Sequence, residues 1–345
     1  MESMDKVPGV TSVKRLFRAA KARGALVAAG LVLAAALSAC SSTGQAGPDP
    51  EKARPGGPFR VPAEYVMFPQ PFYGSSERDQ ALLFNVSQLL DTKARTHRER
   101  AEVFYELGII YDRLGLEATA RTMFMNALVE NRKYAAPYNF IGIYFAEDGR
   151  YQEALDAFDS SLELDGSDRY VNFSRGIVLY YAGRPQVALP DFEAFYKADR
   201  SDPYRQLWLF LCEERALGRD KALANLKRRY AATPAQAASD NWGFDVVRLY
   251  CGELPLKEFF ARIKASQDRP DDYADHLCEG YFYVGKLSQM DGDDALACDY
   301  FSLCAATHRY GFLEYRYALR EIRSIKQRYG LPAGTGPAAS GGSGL

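Results

Sequence analysis

Small and aromatic residues recur every 34 residues along this chain from Ala101 onward. Four positions keep their residue type in three successive units: Gly108, Gly142 and Gly176; Gly115, Gly149 and Gly183; Ala120, Ala154 and Ala188; Phe124, Phe158 and Phe192. A fixed period of this length is typical of stacked supersecondary units, because one unit alone is too small to bury its apolar face. The sequence therefore predicts a repeat protein.

The residue types at these positions indicate a pair of packed helices. Glycine on the first helix and alanine on the second let two helices approach closely, and the glycine between them takes the positive φ that ends a helix. The phenylalanine fills the space between neighbouring hairpins. This pattern resembles the tetratricopeptide repeat (TPR). The expected fold class is therefore all-α, a TPR-type helix-turn-helix solenoid with additional capping helices, and no run shows sustained strand alternation.

The repeat units are unevenly spaced along the chain. They are expected at 101–134, 135–168, 169–202 and, out of phase with these, 278–311. The last unit carries the matching residues Gly285, Gly292, Ala297 and Phe301. Irregular helices or insertions are expected from Pro203 to Leu277. Helices at 76–92 and at Leu313–Tyr329 complete a helical domain over 76–330, either as caps of the solenoid or as elements of self-association.

The first forty residues have the layout of an export signal. Basic residues precede the uncharged apolar stretch Gly24–Leu37, which is shorter than the ~20 residues that a membrane-spanning helix needs. The closing residues Leu37-Ser38-Ala39-Cys40 resemble the bacterial lipobox, in which the cysteine receives a diacylglycerol and the signal peptide is cut before it. We expect a lipoprotein signal peptide at 1–39 and lipid attachment at Cys40, with an ordinary secretory signal as the alternative. By resemblance to enterobacterial sorting, Ser41 favours the periplasmic face of the outer membrane.

Composition separates a folded body from two other segments. Residues 40–75 and 331–345 are rich in Gly, Pro, Ser and Ala, which predicts a flexible linker behind the lipid and a disordered tail. The whole chain is 47% hydrophobic and 25% charged, ordinary values for a globular protein. Lys and Arg total 43 against 44 for Asp and Glu, so net charge gives no reason to expect binding to nucleic acid.

The sequence lacks the patterns of catalytic chemistry. The three histidines, His97, His276 and His308, do not have the helical spacing with Glu of a zinc site, and no nucleophile elbow or phosphate-binding loop occurs. We therefore expect no metal, no cofactor and no enzymatic activity. Cys278 and Cys304 fall at the start and the end of one predicted hairpin, within reach of a disulfide; two small buried thiols are the alternative.

Longer segments carry a more specific signal than the repeat itself. They are Tyr105-Glu106-Leu107-Gly108, Tyr111-Asp112-Arg113-Leu114-Gly115-Leu116, Ile141-Gly142-Ile143-Tyr144, Ala157-Phe158-Asp159-Ser160, Asp202-Pro203-Tyr204-Arg205 and Arg316-Tyr317-Ala318-Leu319. Together with the lipobox, they resemble the NlpI family of outer-membrane lipoproteins over roughly residues 101–319. A longer signal region, a longer Gly-Pro linker and a different tail from Pro332 onward depart from the family's pattern.

The resemblance implies a homodimeric scaffold at the inner face of the outer membrane. Such a scaffold gathers peptidoglycan hydrolases, presents a murein endopeptidase to a tail-specific periplasmic protease, and so regulates cell-wall turnover and division without cutting anything itself. Its expected partners are periplasmic proteins, and it contacts the membrane through the lipid alone. Two alternatives are a structural lipoprotein subunit of an outer-membrane assembly complex and an enzyme that uses the segment from Pro203 to Leu277.

Stacked hairpins present their first helices along a concave groove that binds a peptide or a helix. By repeat position, the side chains expected to face the groove are Tyr105, Asp112, Asn139, Glu147, Phe173 and Tyr180. For Tyr105 and Tyr180 the alternative is packing between adjacent hairpins, and for Asp112 and Glu147 it is simple solvation. Asn139 is the most informative residue, because an amide on an apolar helix face needs hydrogen-bond partners that a bound peptide backbone supplies.

Overall fold

The computed structural model of the chain describes residues 62, 64, 65, 74–92, 94 and 96–331, which form fifteen α-helices and no β-strand. The helices are α1 Gly74–Thr92, α2 His97–Arg113, α3 Glu117–Glu130, α4 Ala135–Glu147, α5 Tyr151–Leu164, α6 Arg169–Tyr181, α7 Pro185–Ala198, α8 Pro203–Leu217, α9 Arg219–Ala231, α10 Ala235–Asp240, α11 Gly243–Cys251, α12 Leu256–Lys264, α13 Pro270–Met290, α14 Asp294–Ala305 and α15 Leu313–Arg328. The predicted all-α fold class is confirmed. The predicted signal peptide, Cys40, most of the linker 40–75 and the tail from residue 332 lie outside the described residues.

Local sequence sets where the helices of the hairpins begin and end. Gly115, Gly149 and Gly183 have φ angles of 74°, 76° and 74°, which confirms the predicted turns; this conformation costs a residue with a Cβ about 1–2 kcal/mol. At the start of α2, Glu99 N donates to the Thr96 side chain while a Glu99 carboxylate oxygen accepts from Thr96 N at 2.9 Å. This reciprocal pair is a capping box, which satisfies backbone donors at the end of the helix.

The first three hairpins are α2/α3, α4/α5 and α6/α7. In the first two, the glycine of the first helix lies against the phenylalanine of the second. A Cβ added to Gly108 would lie 2.6 Å from the Phe124 ring, and one added to Gly142 would lie 2.5 Å from the Phe158 ring. Because both rings are completely buried, a larger residue in place of either glycine would push the helices apart.

Residues 203–231, which the sequence assigned to irregular helices or insertions, form a fourth hairpin in phase with the first three. α8 and α9 pack against each other, and α8 also packs against α7. Ala222 and Leu226 take the alanine and phenylalanine positions of the repeat and are completely buried, while Phe210 takes the position of the glycine. In this hairpin the first helix carries the large aromatic residue and the second helix carries a leucine. The glycine and phenylalanine pattern is therefore absent, although the hairpin is present.

The last hairpin is α13/α14, where a Cβ on Gly285 would lie 2.7 Å from the Phe301 ring. Its first helix begins at Pro270, well before the predicted start at Cys278. Between the fourth and last hairpins, α11 packs against α8, α9, α12 and α13, and α12 packs against α13. These short helices join the two parts of the solenoid, so that a single hydrophobic core extends from α6 to α15.

Two further helices and part of the predicted linker pack against the hairpins. α1 packs against α2, and α15 packs against α13 and α14. Part of the predicted linker also contacts the body, since Pro62 is buried and the Tyr300 hydroxyl donates to the Glu64 carbonyl oxygen at 2.8 Å. Within the described residues, no helix combines the length and the apolar character that crossing a membrane requires.

Candidate partner-binding groove

The first helices of the hairpins form one side of the solenoid, and α15 lies across that side. Arg316 of α15 forms ion pairs with Asp112 of α2 and with Glu147 of α4, whose Oε1 lies 2.8 Å from Arg316 Nη1. The Tyr317 ring stacks on Tyr181 of α6, with 4.8 Å between ring centroids. The last helix that the structure describes therefore occupies the groove that the sequence predicted to be open.

The contacts of Arg316 are buried. The Arg316, Asp112 and Glu147 side chains are 12%, 8% and 15% exposed, and the Tyr144 hydroxyl donates to Asp112 Oδ1 at 2.6 Å. Burial raises the pKa of Glu147, and Arg316 opposes that rise. Burial alone would lower the pKa of Arg316, but Glu147 and Asp112 raise it well above its ordinary value. The guanidinium therefore stays charged between its acidic partners.

Two aromatic contacts continue the interface along α15. The Arg320 guanidinium lies 4.6 Å from the centroid of the Tyr181 ring and also donates to the Tyr151 hydroxyl. Tyr317 meets the Trp208 ring of α8 edge-on at 5.8 Å. Guanidinium groups stack favourably on aromatic faces. The groove thus holds a helix by carboxylates on α2 and α4 and by aromatic rings on α6 and α8.

Three of the predicted groove residues lie in the core. Tyr105 is 1% exposed, Phe173 is 6% exposed and Tyr180 is 1% exposed. The Tyr105 and Tyr134 rings are 5.2 Å apart between centroids, and Phe173 meets the Trp208 ring of α8 edge-on at 5.8 Å. Packing between adjacent hairpins therefore describes the surroundings of these rings, because they fill the space where one hairpin meets the next.

The polar members of the predicted set are paired or buried. Asp112 and Glu147 are not simply solvated, since both bind Arg316. Asn139 of α4 is partly exposed, but its Oδ1 is buried and accepts no hydrogen bond from any described residue. A buried acceptor without a partner costs about 1–3 kcal/mol. Asn139 is therefore the predicted groove residue whose polar group the described part of the fold leaves unsatisfied.

Three residues of α15 that contact the groove were not predicted to lie there: Arg316, Tyr317 and Arg320. The sequence predicts their helix as a cap or an element of self-association, whereas the structure places it across α2, α4 and α6. A signal was present, because residues three and four apart share one helix face, and the arginines at 316, 320 and 323 follow that spacing. Such a basic face complements the acidic groups of Asp112 and Glu147.

The described residues contain no cluster of three or more His, Cys, Asp or Glu suited to hold a metal ion. Two buried carboxyl groups do occur: burial raises the pKa of Glu279 to about 8 and that of Glu314 to about 7. Glu279 Oε2 accepts hydrogen bonds from Tyr204 and Trp242 at 2.5 Å each, and the Tyr283 hydroxyl donates to Glu314. Aromatic donors from neighbouring elements hold both carboxyl groups in place, which indicates a structural role.

The cysteines considered for a disulfide lie in contact. Cys278 of α13 and Cys304 of α14 are completely buried, and their Sγ atoms are 3.7 Å apart. The thiols are free, and the separation exceeds the roughly 2.05 Å of a disulfide bond. In this structure they are two small buried side chains packed between the helices of the last hairpin.

Comparison with known proteins gave solved structures of low identity. No protein-family model matches it. A tetratricopeptide repeat protein from Parabacteroides merdae is 12% identical with a TM-score of 0.44, over 74% of this chain and 94% of that one. PilF of Pseudomonas aeruginosa is 17% identical with a TM-score of 0.39, over 72% and 92%. YrrB, a TPR protein with an unusual peptide-binding site, is 17% identical with a TM-score of 0.36, over 55% and 90%. Likenesses this weak carry no information about function.

Proposed function

We propose that this protein is an adaptor of the NlpI type, anchored in the outer membrane by lipid on Cys40 and facing the periplasm. In this role it binds peptidoglycan hydrolases, murein endopeptidases among them, and brings them to a tail-specific protease. It thereby regulates cell-wall turnover and division without catalysing a reaction itself. The lipobox and the family-like segments of the repeats support the anchor and the choice of partners.

The binding role depends on one observation, the way in which the groove holds a helix. Asp112 and Glu147 pair with Arg316, and the Tyr181 ring supports Arg320. A partner helix with two basic residues one turn apart presents the same charges, and in this proposal it takes the place of α15 on the same face. Because stacked hairpins repeat their first helices along a line, the face extends beyond a single hairpin and fits an elongated partner.

Reconstitution tests the adaptor role directly. A murein endopeptidase and a tail-specific protease from the same organism are mixed with and without the full chain, and loss of the endopeptidase is followed over time. We expect the protein to accelerate the degradation and to copurify with both enzymes. An unchanged rate together with failure to copurify contradicts the proposal.

Crosslinking in the native envelope tests which class of partner binds. A photoreactive residue replaces Leu319, which is 36% exposed on α15, and in a matched control replaces Val187, which is 50% exposed on α7. Recovery of cell-wall hydrolases or the protease through position 319 and not through position 187 supports the adaptor. Recovery of outer-membrane barrel proteins instead favours the structural subunit of an assembly complex.

The lipid anchor and the absence of catalysis have tests of their own. Mass spectrometry of the mature N-terminal peptide is expected to show acylation at Cys40, and Cys40→Ala is expected to move the protein from the membrane to the soluble fraction. A mature protein without lipid contradicts the anchor. Incubation with isolated peptidoglycan tests for enzymatic activity, and release of soluble fragments without an added hydrolase contradicts the adaptor role.

The homodimer that this role includes has a candidate surface on α3. Met125 and Val129 lie one turn apart on this helix and are 53% and 77% exposed. Adjacent apolar side chains exposed to this extent favour a protein contact. A second copy of the chain covers them in the proposed assembly.

A further inference from the structure

A cavity of about 460 Å³ opens where the C-terminal ends of α6, α8 and α13 meet α15. Four basic side chains line it: Arg215, Lys286, Arg320 and Arg328. The rings of Tyr180 and Tyr181 and the acidic residues Glu214 and Glu321 also contribute to its walls. The volume falls within the roughly 300–1,000 Å³ of sites that bind small ligands. Its polar and mainly basic lining favours a ligand that carries negative charge.

Two of the four cations already have acidic partners. Lys286 Nζ lies 2.6 Å from Glu321 Oε1, and both side chains are 2% exposed. Glu321 also accepts a hydrogen bond from the Tyr181 hydroxyl at 3.0 Å. Arg328 Nη1 lies 3.2 Å from Asp294 Oδ2. These two pairs therefore contribute little net charge to the cavity.

Arg215 and Arg320 are held by tyrosine rings and not by carboxylates. Their guanidinium carbons lie 4.2 Å and 4.6 Å from the ring centroids of Tyr180 and Tyr181. The two rings meet edge-on with their centroids 4.9 Å apart. Within the described part of the chain, neither arginine forms an ion pair and Arg320 Nε is buried without a hydrogen-bond partner. Two neighbouring guanidinium groups thus keep donors free for a ligand.

The helix ends explain part of this arrangement. A helix C-terminus carries partial negative charge that attracts cations, and three helices end at the cavity. Their terminal carbonyl groups already accept hydrogen bonds, as from Gly183 N to Tyr180 O at 3.2 Å and from Gly218 N to Glu214 O at 3.0 Å. The helix dipoles therefore account for the gathering of cations here, but they supply no acceptor for the donors of Arg215 and Arg320.

We propose that this cavity is a binding site for a carboxylate ligand, held by Arg215 and Arg320. A carboxylate fits because its two oxygens match the forked donors of a guanidinium. Arg215 is exposed to solvent, so the ligand is either a free dicarboxylic acid or an acidic peptide that continues out of the cavity. The site does not depend on the lipid anchor or on the cell-wall partners.

Calorimetric titration of the full chain at low salt tests the proposal. The probes are N-acetyl-triglutamate, its uncharged analogue N-acetyl-triglutamine amide, and glutarate. We expect the triglutamate to bind and the triglutamine amide not to bind. Tighter binding of triglutamate than of glutarate assigns the site to a peptide, and equal affinity assigns it to a free acid. Failure of both acids to bind, or equal binding of the uncharged analogue, overturns the proposal.

Two substitutions should change the affinity in opposite directions. Arg215→Gln removes one donor fork and is expected to weaken binding by at least about tenfold, whereas Glu214→Gln removes a repelling charge and is expected to tighten it. Arg228→Gln makes the same change of net charge on the exposed surface of α9, where screening should keep the affinity within about twofold. Equal effects of Arg215→Gln and Arg228→Gln overturn the proposal. Unchanged thermal unfolding shows that the variants are folded.

Discussion

The Arg316 guanidinium lies 2.8 Å from the Glu147 carboxylate, although 169 residues separate them in the sequence. Asp112 binds the same guanidinium, and all three side chains are largely buried. A buried group of this kind matters mainly because removing one member leaves the others charged and unpaired. The contact between Arg316 and Glu147 therefore helps to decide whether α15 stays in the groove.

Arg316→Ala is expected to lower the free energy of unfolding by about 3–5 kcal/mol, because it leaves Asp112 and Glu147 buried without a cation. Chemical denaturation measures the loss, and faster hydrogen exchange over residues 313–328 is expected to accompany it. Arg323→Ala is the control, since this exposed arginine only reaches the Glu147 backbone oxygen at 3.3 Å; its effect should stay within about 0.5 kcal/mol. Equal losses of unfolding free energy in the two variants would show that α15 is held by other contacts.

Gly142→Ala is expected to destabilise the protein by about 1–3 kcal/mol through overpacking, because its Cβ would lie 2.5 Å from the Phe158 ring. This loss opposes the gain of about 1 kcal/mol that alanine brings to a helix. The double variant Gly142→Ala/Phe158→Leu should lose less stability than the sum of the losses in the two single variants, as measured by thermal unfolding. Gly166→Ala is the control, where the nearest atom is 3.4 Å away. Strict additivity would show that residues 142 and 158 do not compete for space.

Glu279 is expected to make stability depend on pH. Burial raises its pKa to about 8, whereas an unfolded Glu titrates near about 4.3. Between these values the folded state keeps a proton that the unfolded state has released, so this contribution to stability falls as pH rises. Glu279→Gln removes the titration and keeps an oxygen that accepts from Tyr204 and Trp242.

Between about pH 5 and about pH 8, the free energy of unfolding of the original protein should fall by at least about 1.4 kcal/mol more than that of Glu279→Gln. This amount corresponds to one pKa unit. Urea unfolding at both pH values measures the difference. Glu163→Gln, at an exposed position on α5, controls for the change of charge. The explanation fails where the two proteins show parallel dependence on pH.

Val129→Asp is expected to convert a dimer into a monomer, because it puts a charge into the apolar surface proposed for the contact. Light scattering during gel filtration at micromolar concentration measures the mass. Val187→Asp makes the same change at a position on α7 that is 50% exposed and should leave the dimer intact. If the original protein is already a monomer, the proposal that this surface forms a dimer contact is wrong.

Local patterns explain how much of the fold the sequence predicts. The turn at Gly149 depends on backbone conformation, and the contact between Gly142 and Phe158 joins two helices of one hairpin, so both follow from a short stretch of sequence. The fourth hairpin was missed because Phe210 stands where glycine was expected. Packing requires that the volumes fit together, and it does not prescribe which helix carries the larger side chain.

The contacts of the candidate site were harder to predict from the sequence than the hairpins. Asp112 and Glu147 were predicted from the sequence to face the groove, but their partner Arg316 was not. Tyr105, Asn139 and Phe173 occupy the same repeat position, yet Tyr105 and Phe173 are buried in the core and Asn139 is partly exposed. Repeat position states which helix carries a residue, whereas small rotations between neighbouring hairpins decide what that residue meets.

The amino-acid sequence by itself determined the hairpin unit, its positive-φ turns and the close approach of its helices, because these depend on neighbours within one period. Only the tertiary structure decided that α15 lies against α2, α4 and α6 and that Arg215 and Arg320 meet at one cavity. Such contacts join distant parts of the chain, and they arise from the summed curvature of several hairpins. No single repeat contains that information.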